Sequence, residues 1–223
     1  MAENQISLTA AVVLAGGASS RMGAPKALKP FAGQPLAVRA LARLRPQADV
    51  VYLNVREQDP VLAAFGAPLI SDPPQWRGAG PLAGVAAALR RAKSDGFAYL
   101  ATAPCDAPFL PLDLVARLAQ SIATGARAAA AVSAYGLEPM FALWPVDAIG
   151  AVEAALAAGR ASPRSVLLDL GAAQVSFVAA DGRDPFVNLN TPQEFAAAEA
   201  LAREDLLEAD EPALAGTKQG DQS

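Results

Sequence analysis

AAVVLAGGASSRMGAPK, residues 10–26, is the stretch that decides the fold. Ala10 to Ala15 is a short continuous apolar run, the pattern of a strand buried on both faces, and Gly16-Gly17 ends it at once. Paired glycines let a backbone approach a ligand closely, and successive N–H groups in such a turn form a concavity for phosphate oxygens. Arg21 and Lys26 add positive charge a few residues later. The stretch fits neither the P-loop GxxxxGK[ST] nor the GxGxxG dinucleotide pattern. A plain glycine turn with two solvated cations is the alternative, and the offsets of Arg21 and Lys26 favour phosphate binding over it.

Outward from this turn, short apolar runs alternate with helical spacing. A helix is expected over Gln34 to Leu44, strands over Val50 to Asn54 and Pro68 to Asp72, then a Pro/Gly-rich loop from Asp72 to Gly80. Pro81 suits the first turn of a helix with Leu82, Val85 and Leu89 on one face. Phe97 to Thr102 reads as a strand, followed by the loop Ala103-Pro104-Cys105-Asp106-Ala107-Pro108 and a helix opened by Pro111. Strands near Ala128 to Ser133 and Met140 to Trp144 precede helices near Val146 to Ala158 and Pro163 to Leu170. Gln174 to Ala179 is the last strand, and Thr191-Pro192-Gln193-Glu194 has the spacing of a capping box. The alternation predicts an α/β fold, a three-layer sandwich around a mainly parallel sheet. One domain is expected over residues 1–203, with a disordered acidic tail over 204–223.

In open α/β sheets ligands bind beyond the carboxyl ends of the strands. Gly16 and Gly17 follow the first strand, Asn54 ends the second, Asp72 ends the third and Asp106 follows the fourth, so these groups are expected on one rim. Asp106, between prolines past an apolar strand, is placed to hold Mg²⁺, which prefers oxygen ligands shared with phosphates. A turn aspartate bonding its own backbone is the plainer reading. That plainer reading weighs more for Asp72, which precedes two prolines. Asn54 reads equally as a strand-end cap, and Asn188 and Asn190 as shapers of the turn into the last helix.

Composition narrows the chemistry. The chain of 223 residues has no histidine and one cysteine, Cys105. Imidazole bases, Ser-His-Asp triads, His-ligated metals and disulfides within the chain are therefore excluded. A net charge of −4 argues against a nucleic-acid surface. No apolar run is long enough for a membrane span and no secretory signal is evident, so a cytoplasmic location is expected. Cys105, without an activating base, reads as a packed residue.

The segments LAGGASSRMGAPKAL, GAGPLAGVAAAL, PCDAPFLP, EPMFALWP and FVNLNTPQEF, in that order and up to about Leu201, resemble the molybdenum cofactor guanylyltransferases, within the wider nucleotidyltransferase superfamily. The first and third mark the superfamily; the others tilt toward the guanylyltransferase branch. The resemblance implies a Rossmann-like fold that binds Mg-GTP and molybdenum-molybdopterin and makes the guanine dinucleotide cofactor and pyrophosphate. It implies that Leu14, Ala15, Gly16 and Gly17 line the nucleotide, that Lys26 meets its phosphates, and that Asn54 and Asp72 hold the guanosine. Asp106 would bind Mg²⁺, assisted by Asn188 or Asn190. Many relatives carry an acidic residue just before the lysine, where this chain has Pro25.

The mechanism expected is direct in-line attack by a phosphate of molybdopterin on the α-phosphate of GTP, with Lys26, Arg21 and Asp106 as the catalytic set. Transient contacts with proteins that deliver or receive the cofactor are expected as well. The rivals are the same reaction with CTP, nucleotidyl transfer to another phosphorylated small molecule such as a sugar phosphate, and a non-catalytic nucleotide sensor. Retention of both Lys26 and Asp106 speaks against the sensor.

Overall fold

A computed structural model describes residues 8–16, 25–178 and 184–210, with side chains of the last helix described through Ala202. The strands are β1 (Thr9–Leu14), β2 (Pro30–Phe31), β3 (Gln34–Pro35), β4 (Val50–Val55), β5 (Leu69–Ser71), β6 (Tyr99–Pro104), β7 (Ala129–Ser133), β8 (Gly136–Pro145) and β9 (Ala173–Ser176). The helices are α1 (Leu36–Leu44), α2 (Pro60–Ala63), α3 (Pro81–Ser94), α4 (Leu114–Ala123), α5 (Ile149–Ala157), α6 (Pro163–Asp169) and α7 (Pro192–Asp210). Seven strands form one sheet in the order β5-β4-β1-β6-β8-β7-β9, while β2 and β3 make a separate hairpin. β1, β4, β5 and β6 run parallel, β8 is antiparallel to both its neighbours, and β7 and β9 are parallel to each other.

The apolar run of β1 is buried throughout because helices cover both faces of the sheet. On one face Ala11, Val13, Leu53 and Ala101 pack with Leu41 and Leu44 of α1 and Leu114 and Leu118 of α4. On the other, Val12, Leu100 and Trp144 pack with Leu82, Val85 and Leu89 of α3, Val152 of α5 and Val166 of α6. The odd and even residues of β1 thus serve opposite layers, as a period of two requires. This is the three-layer α/β fold with a mainly parallel sheet that the alternation predicts. Among the described residues no helix is long and apolar enough to cross a membrane.

Apart from the β2–β3 hairpin and the short α2, which the sequence reading leaves out, the differences from expectation lie at element ends and have local causes. Gln34 and Pro35 belong to the hairpin, closed by Ala32 and Gly33 with φ of 46° and 81°. Pro35 is extended, at φ −58° and ψ 141°, so α1 starts only at Leu36. β6 continues two residues past Thr102, through Ala103 and Pro104. The N–H of Cys105 points to β1, donating to Leu14 O at 3.1 Å, so the nitrogen of Pro104 faces the side of β8. There β8 has already left the ladder after Thr102–Ala142, and the missing donor costs nothing. α4 starts at Leu114 instead of Pro111, with the amide of Val115 capped at 3.0 Å by Oε1 of Gln47. Val146–Ala148 forms a 3-10 turn before α5, β9 stops at Ser176, and β8 begins four residues ahead of Met140. The backbone of α7 stays helical to Asp210, past the point where the sequence suggests an acidic tail begins.

A third, smaller cluster sits apart from the two sheet layers. Phe31 of the hairpin, Leu36, Leu189, and Ala198 and Ala202 of α7 are buried together, with Phe109 and Phe195 packed against them. It ties the end of the chain to the segments that follow β1 and β6.

Candidate active site

The carboxyl ends of β1, β4, β5 and β6 open into one pocket of about 340 Å³. Leu14, Ala15, Gly16, Lys26, Asn54, Asp72 and Asp106 all line it. The sheet order explains the convergence: β1 lies between β4 and β6, so the groups ending these strands are neighbours. Gly17 and Arg21 lie outside the described residues.

Asn54 is the buried polar centre of one half, with a relative exposure of 2%. Its carbonyl accepts from Ala15 N–H at 2.9 Å, which holds the first residue past β1 against β4. Its amide Nδ2 donates to Asp72 Oδ1 at 3.0 Å. Its Oδ1 is flanked by two glycines: a Cβ on Gly16 would lie 3.0 Å from that atom and one on Gly84 only 2.5 Å away. A Gly84 Cβ would also meet Leu14 Cδ2 at 2.9 Å. So α3 comes down on β1 and β4 at the point where a side chain would collide with the Asn54 amide. Burial pushes the Asp72 carboxyl up from its ordinary value, and the Asn54 hydrogen bond with the charges of Arg77 and Arg56 opposes that push. Gly84 falls within the GAGPLAGVAAAL segment without being singled out there, and Arg56 and Arg77 lie outside the quoted motifs. The roles of Gly84 and Arg77 follow from the packing of α3 and the loop before it, and that of Arg56 from its place just past β4.

In the other half Lys26 is the hub. Its Nζ donates to Asp106 Oδ2 at 2.5 Å and to Asn190 Oδ1 at 2.6 Å. The Lys26 and Asp106 side chains are 19% and 17% exposed, so the pair is shielded but reachable. Of the two asparagines, Asn190 joins the cluster, whereas Asn188 is exposed with no recorded bond to Lys26. The last segment is held to the Asp106 loop by Leu189 N–H, which donates to Asp106 O at 3.0 Å. Thr191 and Glu194 form the capping box, and the Glu194 carboxylate reaches one residue further than the motif requires. Its Oε2 accepts from Asn190 N–H at 2.6 Å and from Thr191 N–H at 2.8 Å, while Glu194 N–H donates to Thr191 Oγ1 at 3.2 Å. Those two backbone donors lower the Glu194 pKa.

A carboxylate and an amide oxygen converging on one ammonium are a hard-oxygen donor set, which fits Mg²⁺ in chemical type. Among the described residues no three Asp, Glu or Cys side chains cluster, so such an ion would draw further ligands from phosphate and water. Cys105 beside Asp106 is buried and its thiol is pushed up to about 12, chiefly by burial and then by the Asp106 charge, which removes it as a nucleophile.

The family model described as the MobA-like NTP transferase domain matches residues 11–175. A molybdenum cofactor guanylyltransferase of Rhizobium meliloti is 40% identical over 198 residues, covering 85% of this chain and 90% of that protein. The enzyme of the same description from Rhodobacter capsulatus is 40% identical over 197 residues, covering 88% and 97%. In fold, the chain resembles molybdopterin-guanine dinucleotide biosynthesis protein A from Archaeoglobus fulgidus at TM-score 0.71, with 24% identity over 88% of this chain and all (100%) of that one. It also resembles 2-C-methyl-D-erythritol 4-phosphate cytidylyltransferase from Thermus thermophilus at TM-score 0.64 and 22% identity, over 89% and 100%. The two solved structures speak for the fold alone, but the family model and the curated relatives span the strands that build the pocket, and the chain belongs to the MobA-like NTP transferase family.

Proposed function

We propose that the chain transfers GMP from GTP to molybdenum-molybdopterin, releasing pyrophosphate and giving the guanine dinucleotide cofactor. The observation that carries the site assignment is the Lys26 ammonium shared by Asp106 and Asn190 beside a pocket that the Asn54–Asp72 pair also lines. The choice of GMP and of the acceptor follows the curated relatives near 40% identity. The cytidylyltransferase neighbour shares the fold only, and no observation favours CTP.

Asn54 and Asp72 hold the guanosine part, with Leu14, Ala15 and Gly16 of the glycine turn against the nucleotide. Lys26 meets the phosphates, and Gly17 and Arg21 extend that contact. An oxygen of the acceptor phosphate forms a bond to the α-phosphorus while the bond from that phosphorus to the β-bridging oxygen breaks, and pyrophosphate leaves with the electron pair. A phosphate monoester is already anionic near neutral pH, so no general base is needed, in keeping with the absence of histidine. Asp106 and Asn190, with Asn188 nearby in sequence, would hold Mg²⁺, which would supply charge neutralisation. Lys26 adds a fixed positive charge in a partly dry site, where it counts for more than in water. The reaction belongs in the cytoplasm, with transient partners for cofactor delivery.

The test is pyrophosphate release with molybdate-loaded molybdopterin and Mg²⁺, GTP against CTP, with Asp106→Ala alongside. Release with GTP alone, reduced by about 10²-fold or more in the variant with its circular dichroism unchanged, is the expected result. Release with CTP alone changes the product; normal turnover by Asp106→Ala removes the metal assignment.

A further inference from the structure

Asn190 supplies one of the two oxygens on the Lys26 ammonium, yet it stands on an exposed turn at the entry to α7. An asparagine there can keep its amide oxygen at one point only if its backbone is held in place. Two bonds fix it: Leu189 N–H to the carbonyl of Asp106, and Asn190 N–H to the carboxylate of Glu194. The first ties the segment to the Asp106 loop, and the second sets the peptide plane from which the Asn190 side chain departs.

We propose that Glu194 is a positioning residue for the catalytic cluster, holding the Asn190 amide oxygen on the cation that also engages Asp106. This rests on the functional reading above. The usual capping-box glutamate serves its helix by binding the N-cap amide, here that of Thr191 at 2.8 Å. The shorter bond, 2.6 Å, goes instead to the residue before it, which is the one that reaches Lys26. One oxygen, Oε2, takes both amides, so the carboxylate fastens the helix start and the site residue as a unit. Its hydrogen-bonding role needs only an acceptor oxygen, which glutamine retains and alanine lacks.

Thr191 separates this role from ordinary helix capping. Its Oγ1 accepts from Glu194 N–H, so Thr191→Ala weakens the start of α7 while the Glu194 carboxylate keeps both of its backbone donors. Glu194→Ala, Glu194→Gln and Thr191→Ala are therefore compared in the full-length protein by two readouts. The first is steady-state pyrophosphate release with GTP, recording kcat, KM for GTP and the Mg²⁺ concentration for half-maximal rate. Glu194→Ala is expected to lower kcat about tenfold and raise the Mg²⁺ requirement with KM for GTP little changed, while Glu194→Gln recovers most of the loss and Thr191→Ala stays near the parent. The second needs no substrate: the rate at which an acylating reagent labels Lys26, followed by peptide mass spectrometry. Glu194→Ala should raise that rate several-fold, and Thr191→Ala should not. Equal losses in Glu194→Ala and Thr191→Ala on both readouts, or unchanged Lys26 labelling in Glu194→Ala, overturn the positioning role. Altered labelling in a protein that releases no pyrophosphate keeps Glu194 as the holder of the cluster and overturns the reading of the reaction instead.

Discussion

Asn54 does its work through a single amide whose two ends are fixed from different directions. Nδ2 is committed to Asp72, and Oδ1 sits where Gly16 and Gly84 leave room for it. Gly84→Ala puts a methyl 2.5 Å from Oδ1 and 2.9 Å from Leu14 Cδ2 on a buried face. Overpacking of this kind costs about 1–3 kcal/mol. We expect a lower urea midpoint and, if Asn54 holds the guanosine as proposed, a raised KM for GTP with a smaller change in kcat, because Asn54 has to move from its place in the pocket. Asp72 adds a pH dependence. Its folded pKa is raised by burial, so the protein loses stability as pH rises through that value and the carboxylate must ionise in a half-dry setting. Asp72→Asn should therefore be more stable than the parent at neutral pH, with the gap closing below the ordinary carboxylate range, and should bind GTP less well. Urea titrations at several pH values read the first effect, and loss of the pH trend in the difference is the result to look for against it. That these residues meet on one rim was legible in the sequence because each ends an apolar run; the seat that Gly84 provides was not, because it depends on how close two elements pack.

At the scale of elements, periodicity carried most of the information. The apolar positions of α1, α3 and α4 recur at helical spacing and face the sheet. Element ends depended on contacts from elsewhere in the chain. The start of α4 is an example. Gln47, at the end of α1's following turn, accepts from Val115 N–H at 3.0 Å and donates through Nε2 to Pro111 O at 2.9 Å and Arg43 O at 2.8 Å. No local signal near Pro111 announces a cap that comes from so far away, and the sequence reading began the helix too early. Gln47→Ala removes all three bonds and leaves a helix amide without its partner. A loss of about 1–3 kcal/mol is expected, with kcat and KM unaltered because Gln47 is remote from the pocket lining. Thermal denaturation paired with the kinetic assay checks both halves.

In the whole molecule the site draws on one stretch of chain, the entry to α7, that the sheet does not use. Two large apolar layers hold the sheet, and among the described residues neither contains one from α7. Leu189, Ala198 and Ala202 form the third cluster with the hairpin's Phe31, and through it Asn190 is delivered to Lys26. A chain truncated after Val187, which keeps Phe186 in the sheet layer, should retain much of its α/β circular dichroism and lose pyrophosphate release; removal of residues 211–223 alone should leave turnover intact. Full activity in the shorter chain would break the link between α7 and the site. Resemblance of motifs anticipated both asparagines near the end, but only packing tells that Asn190 is the one drawn into the cluster. The hydrogen bond between Lys26 and Asn190 spans 164 positions. During synthesis Lys26 therefore leaves the ribosome long before Asn190 does, and the nascent protein carries the cation of its centre without this partner until the entry to α7 has emerged.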